Sequence, residues 1–429
     1  MSVLNIGIAG LGTLGQAMVN IIAKDAVLLA KRSGREIKII AVSSHNKNKK
    51  RDCDVSAFRW VDNAADLANI AEIDVVVELI GGASGIAKDT VEAALKAGKH
   101  VVTANKALIA EHGVALAKLA EQKGVMLAFE AAVAGGIPAL KVLKQGLAAN
   151  HISKVCGILN GTCNYILTHM WNDKRDFADV LAEAQKLGYA EADPSFDVDA
   201  IDTSHKLAIL TSLAFGVEPN LQSLTVEGIR HITLRDMEFA DELGYVVKLL
   251  GIAEKTDAGI LQRVHPCMVA KDSAIANVSG VFNAVQMEGN CVGSLFLEGR
   301  GAGGMPTSSA ILADVIDIAR GTSGAPFGVA TGDMTQGKFL PLDFLQSSYY
   351  IRLNVLDKPG VLADITSVFR DNDISLKSFL QHGHAPGEQV FVVIATHATS
   401  EANMQKALAL IAKQANIKEP PFSIRIETV

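Results

Sequence analysis

A mostly apolar run at residues 4–9 leads into Gly10-Leu11-Gly12-Thr13-Leu14-Gly15, after which Ala17, Met18, Ile21 and Ile22 recur at helical spacing. The pattern predicts a strand, a glycine turn and a helix. Further strands are predicted at 37–43, 74–80 and 100–104, with helices at 90–96 and 114–121 between them. Strands that alternate with helices in this way build a parallel sheet with crossover helices, a doubly wound α/β domain extending to about residue 138.

The pattern then changes. Strand-like runs at 154–159, 260–269, 277–285 and 294–297 are interspersed with helical periodicity at 177–187, 203–215 and 236–248, which predicts an α+β domain over 139–320. Its last part, Gly299 to Pro306 and a helix to about Arg320, is expected to return to the first domain, with Pro306 opening the helix. Residues 321–347, rich in Gly and Thr, read as a linker. From 348 to 429 the order is strand (350–355), Asp357-Lys358-Pro359-Gly360 turn, helix (361–371), strands (374–381 and 388–395), helix (402–415) and strand (422–427). This βαββαβ order is the ferredoxin-like arrangement.

Composition narrows the function. In 429 residues, 40 basic against 46 acidic side chains leave a net charge of −6, which argues against a nucleic-acid or anionic-membrane partner. Five cysteines without a CxxC pair support neither a disulfide scaffold nor a zinc ribbon, and a reducing cytoplasm is expected. The amino terminus runs straight into the first strand and lacks a basic leader. The apolar stretch at 125–140 is interrupted by Glu130, Gly135, Gly136 and Pro138, so no membrane segment is expected.

The glycine turn carries the first chemistry. Gly10 permits the turn, Gly12 lets backbone approach a pyrophosphate, and Gly15 packs helix on strand, so the helix dipole faces the anion and Leu11, Thr13 and Leu14 complete the cradle. The second strand ends Val42-Ser43-Ser44 with no acid for a ribose 2′-hydroxyl. It is followed by a basic run that includes Lys50 and Arg51, which suits a 2′-phosphate and favours NADPH over NADH.

Two further clusters stand out. Ala104-Asn105-Lys106 closes a parallel strand at the sheet's carboxyl edge, where open α/β sheets bind ligands. Glu191, Asp193, Asp197, Asp199, Asp202 and Lys206 concentrate charge ahead of the apolar Leu207, Ile209, Leu210 and Leu213, and Asp202 and Lys206 stand at i, i+4 on one helix face. A surface ion pair is the alternative, but a lysine donor held by a carboxylate fits the start of a core helix. Cys163, in Gly161-Thr162-Cys163-Asn164, raises the rival of a phosphorylating semialdehyde dehydrogenase, although nothing nearby in sequence lowers its pKa. A non-catalytic nucleotide sensor, acting through the tail, is the other rival. The residues alone lead to an NAD(P)-linked oxidoreductase on a small polar substrate.

Taken together, GLGTLG, Thr103-Ala104-Asn105-Lys106, Gly157-Ile158-Leu159-Asn160-Gly161-Thr162 with Asn164-Tyr165-Ile166-Leu167, and Leu187-Gly188-Tyr189-Ala190-Glu191-Ala192-Asp193-Pro194 through Asp202 and Lys206 resemble homoserine dehydrogenase over about 1–320. The tail is similar to an ACT domain. The resemblance implies a Rossmann-type cofactor domain, a substrate and dimerisation domain, and a regulatory tail. The implied reaction is reversible reduction of L-aspartate 4-semialdehyde to L-homoserine, on the route to threonine, methionine and isoleucine.

It also implies Lys206 as proton donor, Lys106 touching both cofactor and substrate, and Asp202, Glu191 and Asp197 around the substrate. Thr103, Gly188 and Gly303 would lie along the cofactor. A monovalent cation, sodium by expectation, would sit on Glu130 and the carbonyls of Val133, Gly135 and Ile137. A homodimer or homotetramer is expected, with L-threonine as the effector at the tail.

Overall fold

The computed structural model describes residues 2–382 and 387–429. The chain divides into two compact units, each built from separate stretches of sequence: Met1–Gly161, Asp202–Leu224 and Val281–Gly337 form the first, and Thr162–Ile201, Thr225–Gly280 and Lys338–Val429 the second.

The first unit contains β1 (Val3–Ala9), α1 (Thr13–Ser33), β2 (Glu36–Ser43), β3 (Arg59–Val61), β4 (Val75–Glu78), α2 (Ile86–Lys96), β5 (His100–Thr103), α3 (Lys106–Lys123) and β6 (Leu127–Ala128). These six strands form one parallel sheet in the order β3-β2-β1-β4-β5-β6. Val75, Val76, Val77, Val101 and Val102 are fully buried, as expected for strands covered on both faces.

Helix Gly304–Ala319 packs on this sheet's side of α1, where Ser308 Oγ donates to the Leu14 carbonyl at 3.0 Å and Ile311, Leu312 and Val315 join one core with Ile6, Ile8, Met18 and Val77. Pro306 lies in the first turn of that helix. By length and composition α1 could cross a membrane. Here its Met18, Val19, Ile22 and Leu29 are buried in the sheet's core, while Val27 and Leu28 are exposed. The unit also holds an antiparallel sheet with Phe282–Gly289 between Ile152–Ile158 and Gly293–Arg300.

In the second unit, Tyr245–Lys255 and Ile260–Ala270 form an antiparallel hairpin. The tail adds strands Gln346–Leu356, Leu376–Gln381, Gln389–Thr396 and Phe422–Ile426 with helices Val361–Asp371 and Glu401–Ile411 on one face, closing a core of Tyr349, Ile351, Phe369, Ile394 and Met404. Phe422–Ile426 lies antiparallel to Gln346–Leu356 and parallel to Ile260–Ala270.

Three expectations need correction. The helix expected at 236–248 is a helix only at Leu234–Glu242, opened by a Thr233/Asp236 capping box. Gly244, at φ +88°, ends it, and the β-branched, buried residues that follow pair as a strand. The strand expected at 277–285 begins only at Phe282, because 274–277 form a 3₁₀ turn. The first strand of the tail starts at Gln346, inside the expected linker.

Candidate active site

At the amino end of α1 the three glycines take distinct positions. A Cβ on Gly10, which has φ +107°, would meet the Leu79 carbonyl at 2.6 Å, and one on Gly15 would meet the Gly10 carbonyl at 2.1 Å. Gly12, the cap of α1, faces open space. The turn is therefore closed at its ends and open at its middle, where an anion could approach the helix terminus. Leu11, buried, and Thr13 and Leu14 flank it.

A groove beside the turn is lined by Gly10, Leu11, Gly12, Ser43, Ser44, His45 and Asp62 among others. Arg51, beyond β2, donates to the carbonyls of Asn46, Lys47 and Lys49 and lies 5.2 Å from the Trp60 ring centroid, so it also holds its own loop together. Lys50 is exposed.

The carboxyl ends of β4 and β5 are tied together through a buried acid. Glu78 accepts the Thr103 hydroxyl at 2.6 Å and the amides of Ile80 and Gly81. Thr103 Oγ1 in turn accepts the Asn105 amide, and Asn105 caps α3 through Leu108 while donating to the Gly82 carbonyl. These bonds fix the start of α3, where Lys106 is the first residue.

Lys106 reaches Asp202. Its ammonium lies 2.7 Å from Asp202 Oδ1, while Oδ2 accepts from Lys206 at 2.7 Å and from Asn160 Nδ2 at 2.8 Å. Lys206 also donates to the Leu159 carbonyl at 2.7 Å. Burial alone would raise the Asp202 carboxyl, but Lys206 and Lys106 override it and hold the group far below the usual carboxylate range. Three separate stretches, 159–160, the start of α3 and the first turn of Ile201–Phe215, thus place two ammoniums on one buried carboxylate. Asn160 and Glu78 were not singled out as site residues from sequence.

Also in the first unit, the Glu130 carboxylate is buried and accepts the amides of Leu140 and Lys141, while its own amide donates to Asp314. Burial, then the neighbouring Asp314 carboxylate, pushes its carboxyl up to about 7. Ala134 and Gly135, at φ +57° and +52°, turn the chain between Val133 and Ile137, and the Ile137 carbonyl accepts the Ala139 amide at 2.8 Å. Both Glu130 oxygens and the Ile137 carbonyl thus accept backbone amides, and oxygen donors of this kind are what hard cations take. Gly303, at φ +116°, caps helix Gly304–Ala319.

The remaining candidates lie in the second unit. Gly188, at φ +76°, follows helix Phe177–Lys186, and the Tyr189 carbonyl accepts from Thr162 at 2.7 Å. Gln185 holds the Glu191 and Ala192 carbonyls, and the Glu191 side chain is exposed. Asp197 lies in the short helix Ser195–Val198, and its carbonyl accepts from the buried Cys163 thiol at 3.2 Å. A buried thiol engaged with backbone is poorly placed to be a nucleophile.

Residues 10–130 match the homoserine dehydrogenase NAD-binding domain family, 138–316 the homoserine dehydrogenase family and 349–413 the ACT domain family. The chain is 42% identical over 434 residues to the homoserine dehydrogenase of Pseudomonas aeruginosa, covering 100% of this chain and 99% of that one. It is 43% identical over 436 residues to that of Neisseria gonorrhoeae, with complete coverage of both. The crystal structure of a homoserine dehydrogenase from Thiobacillus denitrificans superposes with a TM-score of 0.93 at 41% identity, covering 100% of this chain and 99% of that one. A hyperthermophilic archaeal homoserine dehydrogenase in complex with NADPH matches at 0.63 and 27% identity, over 74% of this chain and 97% of that one.

Proposed function

Since the chain belongs to the homoserine dehydrogenase family, with an NAD-binding domain and a carboxyl-terminal ACT domain, we propose that Asp202, Lys106 and Lys206 carry its reaction, the NAD(P)H-dependent interconversion of L-aspartate 4-semialdehyde and L-homoserine. The observation that carries this reading is the pair of ammoniums held 2.7 Å from opposite oxygens of one buried carboxylate.

The cofactor, when bound, supplies the hydride. Its arrival at the aldehyde carbon leaves negative charge on the carbonyl oxygen, which needs a proton and a compensating charge. Lys206 donates the proton, Lys106 stabilises the charge, and Asp202 fixes both ammoniums, with Asn160 fixing Asp202. Glu191 and Asp197 meet the substrate's α-ammonium. The Gly10–Gly15 turn, Thr103, Lys106, Gly188 and Gly303 hold the cofactor, and Lys50 and Arg51 select NADPH through its 2′-phosphate. The second strand of the sheet ends without an acidic side chain to oppose that group.

Glu130 and the carbonyls of Val133, Gly135 and Ile137 hold a monovalent cation, sodium by preference, whose charge offsets the buried acid. L-threonine regulates through the tail, where Gly360, a residue with no side chain to cap the first turn, opens helix Val361–Asp371. We assign the working form to a cytoplasmic homodimer or homotetramer, with domains at 1–138, 139–320 and 348–429.

The test is NADPH oxidation with L-aspartate 4-semialdehyde, with L-homoserine identified as the product. A Cys163→Ser enzyme that keeps its rate excludes the thiol route, and loss of turnover on that change would restore it. A protein that binds NADPH without turning over the semialdehyde would be a sensor.

A further inference from the structure

The second unit contains a cavity away from every residue assigned above, lined by Leu167, Trp171, Met237, Val247, Lys248 and Ala276 among others. Polar residues such as Thr168, Asn172 and Asn277 alternate with these apolar ones, and Lys248 is the one lysine in the lining. It is 4% exposed, and its ammonium donates to the Val278 carbonyl at 2.5 Å and approaches Asn164 Oδ1 at 3.4 Å.

Both partners are neutral. Among the described residues no carboxylate lies within ion-pair distance of this ammonium, whereas the half-buried Lys141 has Asp314 at 3.0 Å and Asp317 at 2.6 Å. The other charged group on the cavity wall, Asp241, is engaged by Lys271 at 2.6 Å. Tyr245 also lines the cavity, and Cys267 stands across the hairpin from Lys248. A buried charge without a counterion is costly, and the described residues supply Lys248 with none. Burial pushes the Lys248 ammonium down to about 8, so an anion brought beside it would stabilise its charged form.

We propose that this cavity is a binding site for a small organic carboxylate, whose anionic group meets Lys248 and whose apolar body packs between Trp171, Leu167 and Met237. Backbone and amide oxygens already take part of the ammonium's donor capacity, so the ligand is a single carboxylate, not a phosphate that asks for several donors. Trp171, one of two tryptophans in the chain, gives the site its own reporter once Trp60 is removed.

Benzoate is the probe. In a Trp60→Phe protein we expect saturable quenching of Trp171 by benzoate, with neutral benzamide weaker by about tenfold or more, the difference a charge-assisted hydrogen bond makes. Adding Lys248→Met should abolish the preference for benzoate while leaving benzamide binding. Should that variant fail to fold, the pH series on the parent decides: the preference should shrink between about pH 7 and about pH 10 as the ammonium loses its proton. Absence of saturable quenching, equal affinity for benzoate and benzamide at pH 7, or an unchanged preference in Lys248→Met would each overturn the proposal.

Discussion

Lys106 Nζ lies 2.7 Å from Asp202 Oδ1, joining the first residue of the helix after the fifth parallel strand to the first turn of a helix far along the chain. Asp202→Asn should therefore release both ammoniums at once. We expect kcat to fall about a hundredfold, within the range of general acid catalysis, with NADPH affinity largely retained. Steady-state kinetics and a cofactor titration check this. A variant that loses only thermal stability would make Asp202 a structural counterion.

The direction of the Asp202 shift also bears on pH dependence. Because its carboxyl is depressed in the folded state, its contribution to stability is present above the ordinary carboxylate pKa and is lost as pH falls through the folded value. Any acid limb in kcat between about pH 5 and about pH 7 must then come from another group, and it should survive in Asp202→Asn.

Glu130 runs the opposite way. Its carboxyl is raised to about 7, so without a cation its effect on stability is most favourable below the ordinary carboxylate pKa and worsens as pH rises toward the folded value. Replacing sodium by tetramethylammonium should lower Tm more at about pH 8 than at about pH 5, and Glu130→Gln should remove that dependence. Thermal melts in the two salts read it directly. An identical sodium response in Glu130→Gln would move the cation elsewhere.

Arg51 and Lys50 separate charge from loop order. Lys50→Ala should weaken NADPH and spare NADH, with the effect fading as salt rises. Arg51→Ala should weaken both cofactors, because that side chain also holds three carbonyls of its loop. Equal losses from Lys50→Ala for NADPH and NADH would remove the 2′-phosphate from its role.

The parts of the fold carried by periodicity were legible: the alternating strands and helices of the cofactor domain and the βαββαβ tail. The i, i+4 spacing of Asp202 and Lys206 was legible too, because the helix itself brings them together. Lys106 and Asn160 are different. They meet Asp202 through chain packing, which spacing does not encode; the strand-end position marked Lys106 as a candidate but did not pair it with Asp202. The two- and three-residue strands Leu127–Ala128 and Arg59–Val61 are too short to show a period. Residues 245–248 continue a helix-like pattern past Gly244, so the glycine was the signal that should have ended the helix.

Least legible of all was the buried network Arg263–Glu427–His265 with Arg425–Glu401, which ties the strand Ile260–Ala270 to the last strand and helix of the tail. Each member is a lone charge in a strand or helix until the strands pair. Burial opposes the ionisation of Glu427, but Arg263 and His265 prevail and hold it low, so its stabilisation is present above the ordinary carboxylate pKa and lost as pH falls. Glu427→Gln should cost about 3–5 kcal/mol at neutral pH, the usual penalty for stranding a buried charge. Urea unfolding measures it. A cost below about 1 kcal/mol would mean that Arg263 finds another partner.

In the proposed mechanism Lys206, held by Asp202, delivers the proton to the nascent alkoxide. The most direct measurement is kcat for L-homoserine formation by Lys206→Ala, with NADPH affinity determined on the same protein. Loss of the donor should lower kcat by about two to four orders of magnitude with cofactor binding preserved. Turnover close to that of the parent enzyme would contradict it.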